Sequence, residues 1–190
     1  AGEAHGDLSA VRGKLRLDGG SPEREDEVLF TDTGATADRV FTLVNAPDAD
    51  GFDLASGATW KWDTTTLTGD AMGEVAFRRL ETVVLHAGAG HDTIDLQGTQ
   101  REQSPDGRAS TFALNAGAGD DIIRVGALQS GLRTLQPFAI ATTPTADSGR
   151  GVPVIIDGGS GRDTVELLDS AATETLNLAL ATRRFDQIFG

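Results

Sequence analysis

The sequence has no cysteine, few aromatic residues and fewer basic than acidic side chains. The absence of cysteine from all 190 residues excludes disulfides, thiolate metal sites and a cysteine nucleophile. The 16 basic residues against 29 acidic ones give a net charge of −13, which argues against nucleic acid or an anionic membrane as a partner. The sequence contains no apolar run long enough for a transmembrane helix. What is abundant is glycine, with 24 residues, which indicates many turns.

A glycine-rich turn occurs three times with nearly the same amino-acid sequence. The copies occupy residues 87–96, 116–125 and 158–167, and each turn closes with an aspartate: Asp92, Asp121 and Asp163. An apolar strand precedes each turn and an alternating strand follows it. Such a strand–turn–strand repeat is typical of solenoids, in which each coil packs only against its neighbours. The sequence therefore predicts an all-β fold, a parallel β-solenoid of β-helix type with irregular loops on one side.

The phase of the apolar residues supports stacking of these units. The second and fourth residues after the turn aspartate are apolar in four places, if Asp26 closes a degenerate first copy: Val28 and Phe30, Ile94 and Leu96, Ile123 and Val125, Val165 and Leu167. Before the turn, Leu17, Leu85, Leu114 and Ile156 occupy matching positions. Because alternate residues of a strand face the same side, parallel stacking in register would build apolar ladders inside the molecule.

A longer period overlies the short one. The stretch from Lys14 to Ser21 matches the stretch from Pro153 to Ser160, an offset of about 140 residues. We therefore predict that the chain is a fragment of a larger tandem-repeat protein. Residues 14–152 would form one unit and residues 153–190 the start of the next.

The turns resemble the hemolysin-type, or RTX, calcium-binding repeat, Gly-Gly-x-Gly-x-Asp-x-U-x, where U is a large apolar residue. Residues 87–95, 116–124 and 158–166 fit this pattern, with alanine in place of the first glycine in two copies. The resemblance implies that Ca²⁺ is bound by the carboxylates of Asp92, Asp121 and Asp163 and by backbone carbonyls of the turns, which contain Gly88, Gly90, Gly117, Gly119, Gly159 and Gly161. In the family the nonapeptides run end to end, whereas here the aspartates are 29 and 42 residues apart.

A metal-free interpretation of the same turns is equally open. An aspartate side chain can accept hydrogen bonds from nearby backbone N–H groups and hold a turn without any ion. Stacked carboxylates would repel one another, however, unless a cation or hydrogen bonds compensated. On the sequence alone, the turns are either calcium sites or plain corners of the coil.

The function expected from these features is structural, and we expect no enzymatic activity. The pattern resembles large repeat proteins secreted by bacteria or held on the bacterial cell surface, which implies an extracellular spacer or adhesive module whose partners are neighbouring repeats of the same chain. One alternative is a carbohydrate-binding or polysaccharide-modifying β-helix module that stacks sugars on Trp60 and Trp62. Another is a metal-independent array component that associates with other copies through exposed strand edges.

Overall fold

The computed structural model describes residues 6–19, 26–45, 65–78, 80–98, 111–126 and 154–168. These residues form a short 3₁₀ helix, Leu8–Ala10, and eleven strands. The strands are β1 (Leu15–Asp18), β2 (Glu27–Thr31), β3 (Val40–Asn45), β4 (Thr65–Gly69), β5 (Met72–Arg78), β6 (Thr82–His86), β7 (Thr93–Leu96), β8 (Thr111–Asn115), β9 (Ile122–Gly126), β10 (Val154–Asp157) and β11 (Thr164–Leu168). Within these ranges no helix has the length and apolarity needed to cross a membrane. The all-β prediction is confirmed.

The strands form two sheets. A mixed seven-stranded sheet has the order β1-β5-β4-β3-β7-β9-β11, and a parallel four-stranded sheet has the order β10-β8-β6-β2. One cluster of buried apolar side chains contains residues of both sheets. In each predicted copy the strand before the glycine turn lies in the four-stranded sheet, and the strand after it lies in the seven-stranded sheet.

The predicted stacking of the three copies is confirmed. Strands β6, β8 and β10 pair in parallel, which aligns Leu85 with Leu114 and Leu114 with Ile156. Strands β7, β9 and β11 pair in the same way and form a second ladder, Ile94–Ile123–Val165. On the opposite face of these strands Arg124 lies between Asp95 and Glu166, and its guanidinium bonds to both carboxylates. The alternation of apolar and charged residues therefore specified the register.

The prediction of a parallel β-solenoid for the chain is wrong. Strands β4 and β5 form an antiparallel pair joined by a tight turn at residues 70–71, and β4 also pairs antiparallel with β3. Strand β1 then adds to the far edge of β5. A two-residue turn returns the chain beside itself, whereas successive parallel coils need a longer crossover. The hairpin therefore extends one sheet sideways, and the described residues form one mixed and one parallel sheet rather than a closed solenoid.

The predicted phase of the first copy is also wrong. Strand β2 pairs with β6, which aligns Val28 with Val83 and Phe30 with Leu85, so these residues lie before a turn and not after one. The strand that follows this turn is β3, which pairs with β7. Leu17 pairs with Phe77 in the other sheet instead of joining the ladder of Leu85. The first turn of the stack is therefore formed by residues 32–39.

Candidate functional site

The three predicted turns lie directly over one another. Ala118 pairs with Ser160 in an isolated parallel bridge, and the N–H of Ala116 donates to the carbonyl of Asp157 at 2.9 Å. At the other side the N–H of Ala89 donates to the carbonyl of Ala35 at 2.9 Å, which joins the turn at residues 32–39 to the stack. We call each strand–turn–strand unit of this stack a coil. The structure thus brings the predicted site residues together in columns that run through successive coils.

The first column of glycines consists of Gly88, Gly117 and Gly159. A Cβ on Gly117 would overlap the carbonyl oxygen of Gly88, and one on Gly159 would overlap that of Gly117. The same two carbonyls accept hydrogen bonds from the next coil, from Ala118 N–H at 3.1 Å and from Ser160 N–H at 2.8 Å. Gly117 and Gly159 also have φ angles of 101° and 83°, which side chains disfavour. Glycine is required here because adjacent backbones touch.

The second column, Gly90, Gly119 and Gly161, follows the same rule. A Cβ on Gly119 would overlap the carbonyl oxygen of Gly90, and one on Gly161 would overlap that of Gly119. The φ angles of Gly119 and Gly161 are 133° and 134°. Both glycines of the motif therefore have a complete steric explanation in the contacts between coils.

The turn aspartates form a ladder of hydrogen bonds that we call the inner ladder. Each Oδ1 accepts the backbone N–H of the equivalent residue in the preceding coil: Asp163 from Asp121 at 3.2 Å, Asp121 from Asp92 at 2.7 Å, and Asp92 from Arg39 at 2.8 Å. The second oxygen of Asp92 accepts the N–H of Gly88 at 3.2 Å. The predicted ligands thus act as acceptors for neighbouring backbone.

The residues just before those of the inner ladder form a second ladder, which we call the outer ladder. Its hydrogen bonds run in the opposite direction, because each side chain accepts an N–H of the following coil. Asp38 accepts the N–H of His91, His91 Nδ1 accepts the N–H of Asp120, and Asp120 accepts the N–H of Arg162, at 2.8, 2.8 and 2.9 Å. Nδ1 of His91 is the acceptor in its step of this ladder, in the place that a carboxylate oxygen takes in the other two steps. Here each side chain caps the following coil, whereas in the inner ladder each caps the preceding one.

Sequence reasoning missed the residues of the first turn. Asp38 and Arg39 stand in the columns of His91 and Asp92, but alanines at 35 and 37 occupy the places beside Gly88 and Gly90. This turn is also two residues longer than the turn of each of the three copies. The available signal was the strand after it, where Phe41 and Leu43 repeat the apolar spacing of Ile94 and Leu96.

The electrostatics of the inner ladder are dominated by burial. Asp92 and Asp121 are each only 1 % exposed. Burial raises the pKa of Asp92, against the lowering effect of the N–H bonds from Arg39 and Gly88. Burial also raises the pKa of Asp121, which Asp163 raises further. Among the described residues no hydrogen-bond partner reaches Asp121 Oδ2, so the charge on this carboxylate is poorly compensated.

These shifts predict that mild acid stabilises the fold. The folded chain binds protons at Asp92 and Asp121 more readily than the unfolded chain, whose carboxyl pKa is near 3.8. Their contribution to stability is therefore fully present below that value and is lost as the pH rises through the raised folded pKa. Asp121→Asn should flatten the pH dependence of the free energy of unfolding and stabilise the chain by about 1 kcal/mol at neutral pH, because the uncompensated charge is removed. Urea unfolding between acidic and neutral pH checks this, and a destabilised Asp121→Asn variant at neutral pH would contradict it.

Most carboxylate oxygens of the turn aspartates are engaged by backbone N–H groups. Calcium takes six to eight oxygen ligands, yet both oxygens of Asp92 and Oδ1 of Asp121 and Asp163 already accept backbone N–H bonds. The described residues contain no group of three or more His, Asp or Glu side chains that could hold a metal ion. Calcium ligation by Asp92, Asp121 and Asp163 therefore stays a prediction.

A calcium titration tests the metal-free interpretation. We expect the melting temperature to be the same in EDTA and in millimolar calcium, because backbone N–H groups hold Oδ1 of each turn aspartate in place without an ion. Isothermal calorimetry with calcium should give no binding heat. A large upward shift of the melting temperature that Asp92→Ala and Asp121→Ala abolish would establish calcium binding instead.

The resemblance of the turns to calcium-binding repeats stays a prediction. Trp60 and Trp62, the predicted carbohydrate platform, lie outside the described residues. The spacing of the turns departs from the end-to-end arrangement of calcium-binding repeats. Comparison of the whole chain with protein-family models, with curated proteins and with solved structures finds no match.

Proposed function

We propose that the chain is a structural spacer module of a large extracellular bacterial repeat protein, whose coils are joined by backbone-to-side-chain ladders. The observation that carries this proposal is the pair of ladders through the stacked turns. Each glycine admits the backbone of an adjacent coil, and each aspartate accepts an N–H of an adjacent coil. The residues that the motif repeats are thus used for contact between coils, which is the task of a scaffold.

The charge and the apolar ladders support the same proposal. A net charge of −13 keeps an extended repeat protein soluble and discourages unspecific association. Side chains of the two ladders such as Leu85, Leu114, Ile94 and Ile123 are fully buried, and each additional coil extends the stack by about 4.8 Å. Within the stack of the repeated copies, length therefore grows with the number of strand–turn–strand units.

Single-molecule pulling tests the proposed function. The full chain would be placed between two marker domains of known unfolding force and stretched. A spacer should resist extension and unfold in discrete steps, and Gly117→Ala should lower the unfolding force because it separates two coils. Extension without a discrete unfolding event would contradict the proposal, as would specific depletion of a polysaccharide by the immobilised chain.

A further inference from the structure

The two ends of the stack of turns differ. At the first turn the N–H of Gly34 donates to the carbonyl of Gly6 at 2.8 Å, and the N–H of Leu8 donates to Asp32 Oδ1 at 2.8 Å. The side chain of Leu8 is buried against the core cluster. The segment that contains the 3₁₀ helix therefore covers this end of the stack.

The opposite end, formed by β10 and β11, has no such cover among the described residues. Val165 and Leu167 are 50 % and 42 % exposed, although they pair with Ile123 and Val125, which are 0 % and 5 % exposed. These two side chains belong to the inward-facing ladders of the preceding coils. The matching side chains of the preceding coil, Ile123 and Val125, are buried because the next coil lies over them. The last described coil therefore has an exposed face of the kind that another coil covers in the rest of the stack.

The ladders specify what would fit this face. In the inner ladder each aspartate N–H donates to the aspartate of the following coil, and within the described residues the ladder ends at Asp163. At each earlier step the incoming coil carries glycine where the carbonyls of the preceding turn approach, those of Ala35 and Ala37 at the first step and those of glycines afterwards. An incoming coil that continues these contacts must therefore present glycines over Gly159 and Gly161 and an aspartate over Asp163.

The first turn of a second copy does not meet this requirement. Its residues in the two glycine columns are Ala35 and Ala37, and Arg39 stands in the aspartate column. An arginine side chain has no acceptor atom, so it cannot accept the N–H of Asp163. Head-to-tail stacking of identical copies would therefore lack the contacts that select a glycine turn.

We infer that the face of β10 and β11 is a docking surface for one further coil with a Gly-x-Gly-x-Asp turn, added in parallel and in register. The argument is the continuity of this face with the interfaces that join β6–β7 to β8–β9 and β8–β9 to β10–β11. The inference rests on the proposed function, since it names the partner that such a module would stack against. It also gives the stack a direction, because the segment with Gly6 and Leu8 covers the first turn at the other end.

An added coil tests the inference in the full chain. A second copy of residues 97–126, which supplies a connection and one strand–turn–strand coil, would be inserted between Leu168 and Asp169. Hydrogen exchange of the amides of Thr164–Leu168 would then be measured by mass spectrometry, since β11 changes from an edge strand to an interior strand. We expect exchange to slow by at least about tenfold, because interior strands open far less often than edges.

The matched control is the same insertion with alanine in place of Gly117 and Gly119 of the inserted copy alone. This control should leave the exchange of Thr164–Leu168 at the rate of the chain without an insertion. Equal protection by both insertions, or protection by neither, would overturn the inference. Slow exchange of Thr164–Leu168 in the chain without an insertion would also overturn it, because the face would then already be covered. Slow exchange that depends on concentration would indicate a second copy, and slow exchange that does not would indicate residues 169–190. If the chain resists pulling but the inserted coil does not slow the exchange of Thr164–Leu168, the docking surface is wrong and the proposed spacer function still stands.

Discussion

Gly117→Ala should be among the most destabilising single substitutions in this chain. A Cβ at this position would overlap the carbonyl oxygen of Gly88, and the φ angle of 101° disfavours any side chain. Backbone strain of this kind costs about 1–3 kcal/mol, and moving the coils apart also weakens the bond from Ala118 N–H to Gly88. We expect a loss of about 3 kcal/mol, and for a chain of this size the melting temperature should fall by roughly 10 °C. Thermal and urea unfolding followed by circular dichroism measures both quantities.

Gly13→Ala is the matched control for this substitution. A Cβ on Gly13 meets nothing within 4 Å, so the same chemical change is made without a contact between coils. Its effect on the free energy of unfolding should stay within about 0.5 kcal/mol. Equal effects at Gly13 and Gly117 would mean that glycine matters for chain flexibility and not for stacking.

Asp92→Ala should have the second largest effect, and it distinguishes a hydrogen-bond acceptor from a metal ligand. The substitution leaves the N–H groups of Arg39 and Gly88 without their acceptor. Each buried donor left unsatisfied costs about 1–3 kcal/mol, whereas removing one poorly solvated carboxylate returns about 1 kcal/mol. The loss of two bonds outweighs the relief, and we expect a net destabilisation of about 2–3 kcal/mol. The free energy of unfolding should be measured in EDTA, where metal cannot contribute.

Asp120→Ala provides the comparison within the same motif. Asp120 is exposed and, within the described part of the chain, accepts the N–H of Arg162 at 2.9 Å. Water can replace this acceptor, so the expected loss is no more than about 1 kcal/mol. If Asp92→Ala destabilised the chain only when calcium was present, the inner ladder would not be the reason for the aspartate.

The three repeated copies and their register could be predicted because they share one pattern. The apolar positions after each aspartate coincide, so Ile94, Ile123 and Val165 had to face the same side of parallel strands. The charged residues between them, Asp95, Arg124 and Glu166, faced the other side for the same reason. Here local pattern and tertiary pairing agree.

The antiparallel part of the large sheet could not be predicted in the same way. Strand β3 pairs with β7 along one edge, and its other edge is free to accept any strand that returns beside it. The turn at residues 70–71 places β4 there, but its sequence does not say which strand it will meet. The first turn was missed because alanine and arginine replace glycine and aspartate in it, which leaves the apolar spacing of Phe41 and Leu43 as its signal in the sequence.

The role of the aspartates was also beyond the sequence. Whether Asp92 ligates an ion or accepts an N–H depends on which atoms lie within about 3 Å of its oxygens. Both interpretations require the same residue in the same turn. The deciding atoms, the N–H groups of Arg39 and Gly88, belong to backbone and leave no signature in the amino-acid pattern.

The opposite directions of the two ladders have a consequence for how such a protein can change over generations. Each turn is positioned by the turns above and below it, and the segments between successive turn aspartates span 29 and then 42 residues without altering those contacts. We therefore expect insertions and deletions between coils to be compatible with the stack as long as the turn itself is kept. The contacts constrain a few residues at each corner and set no fixed length for the intervening chain.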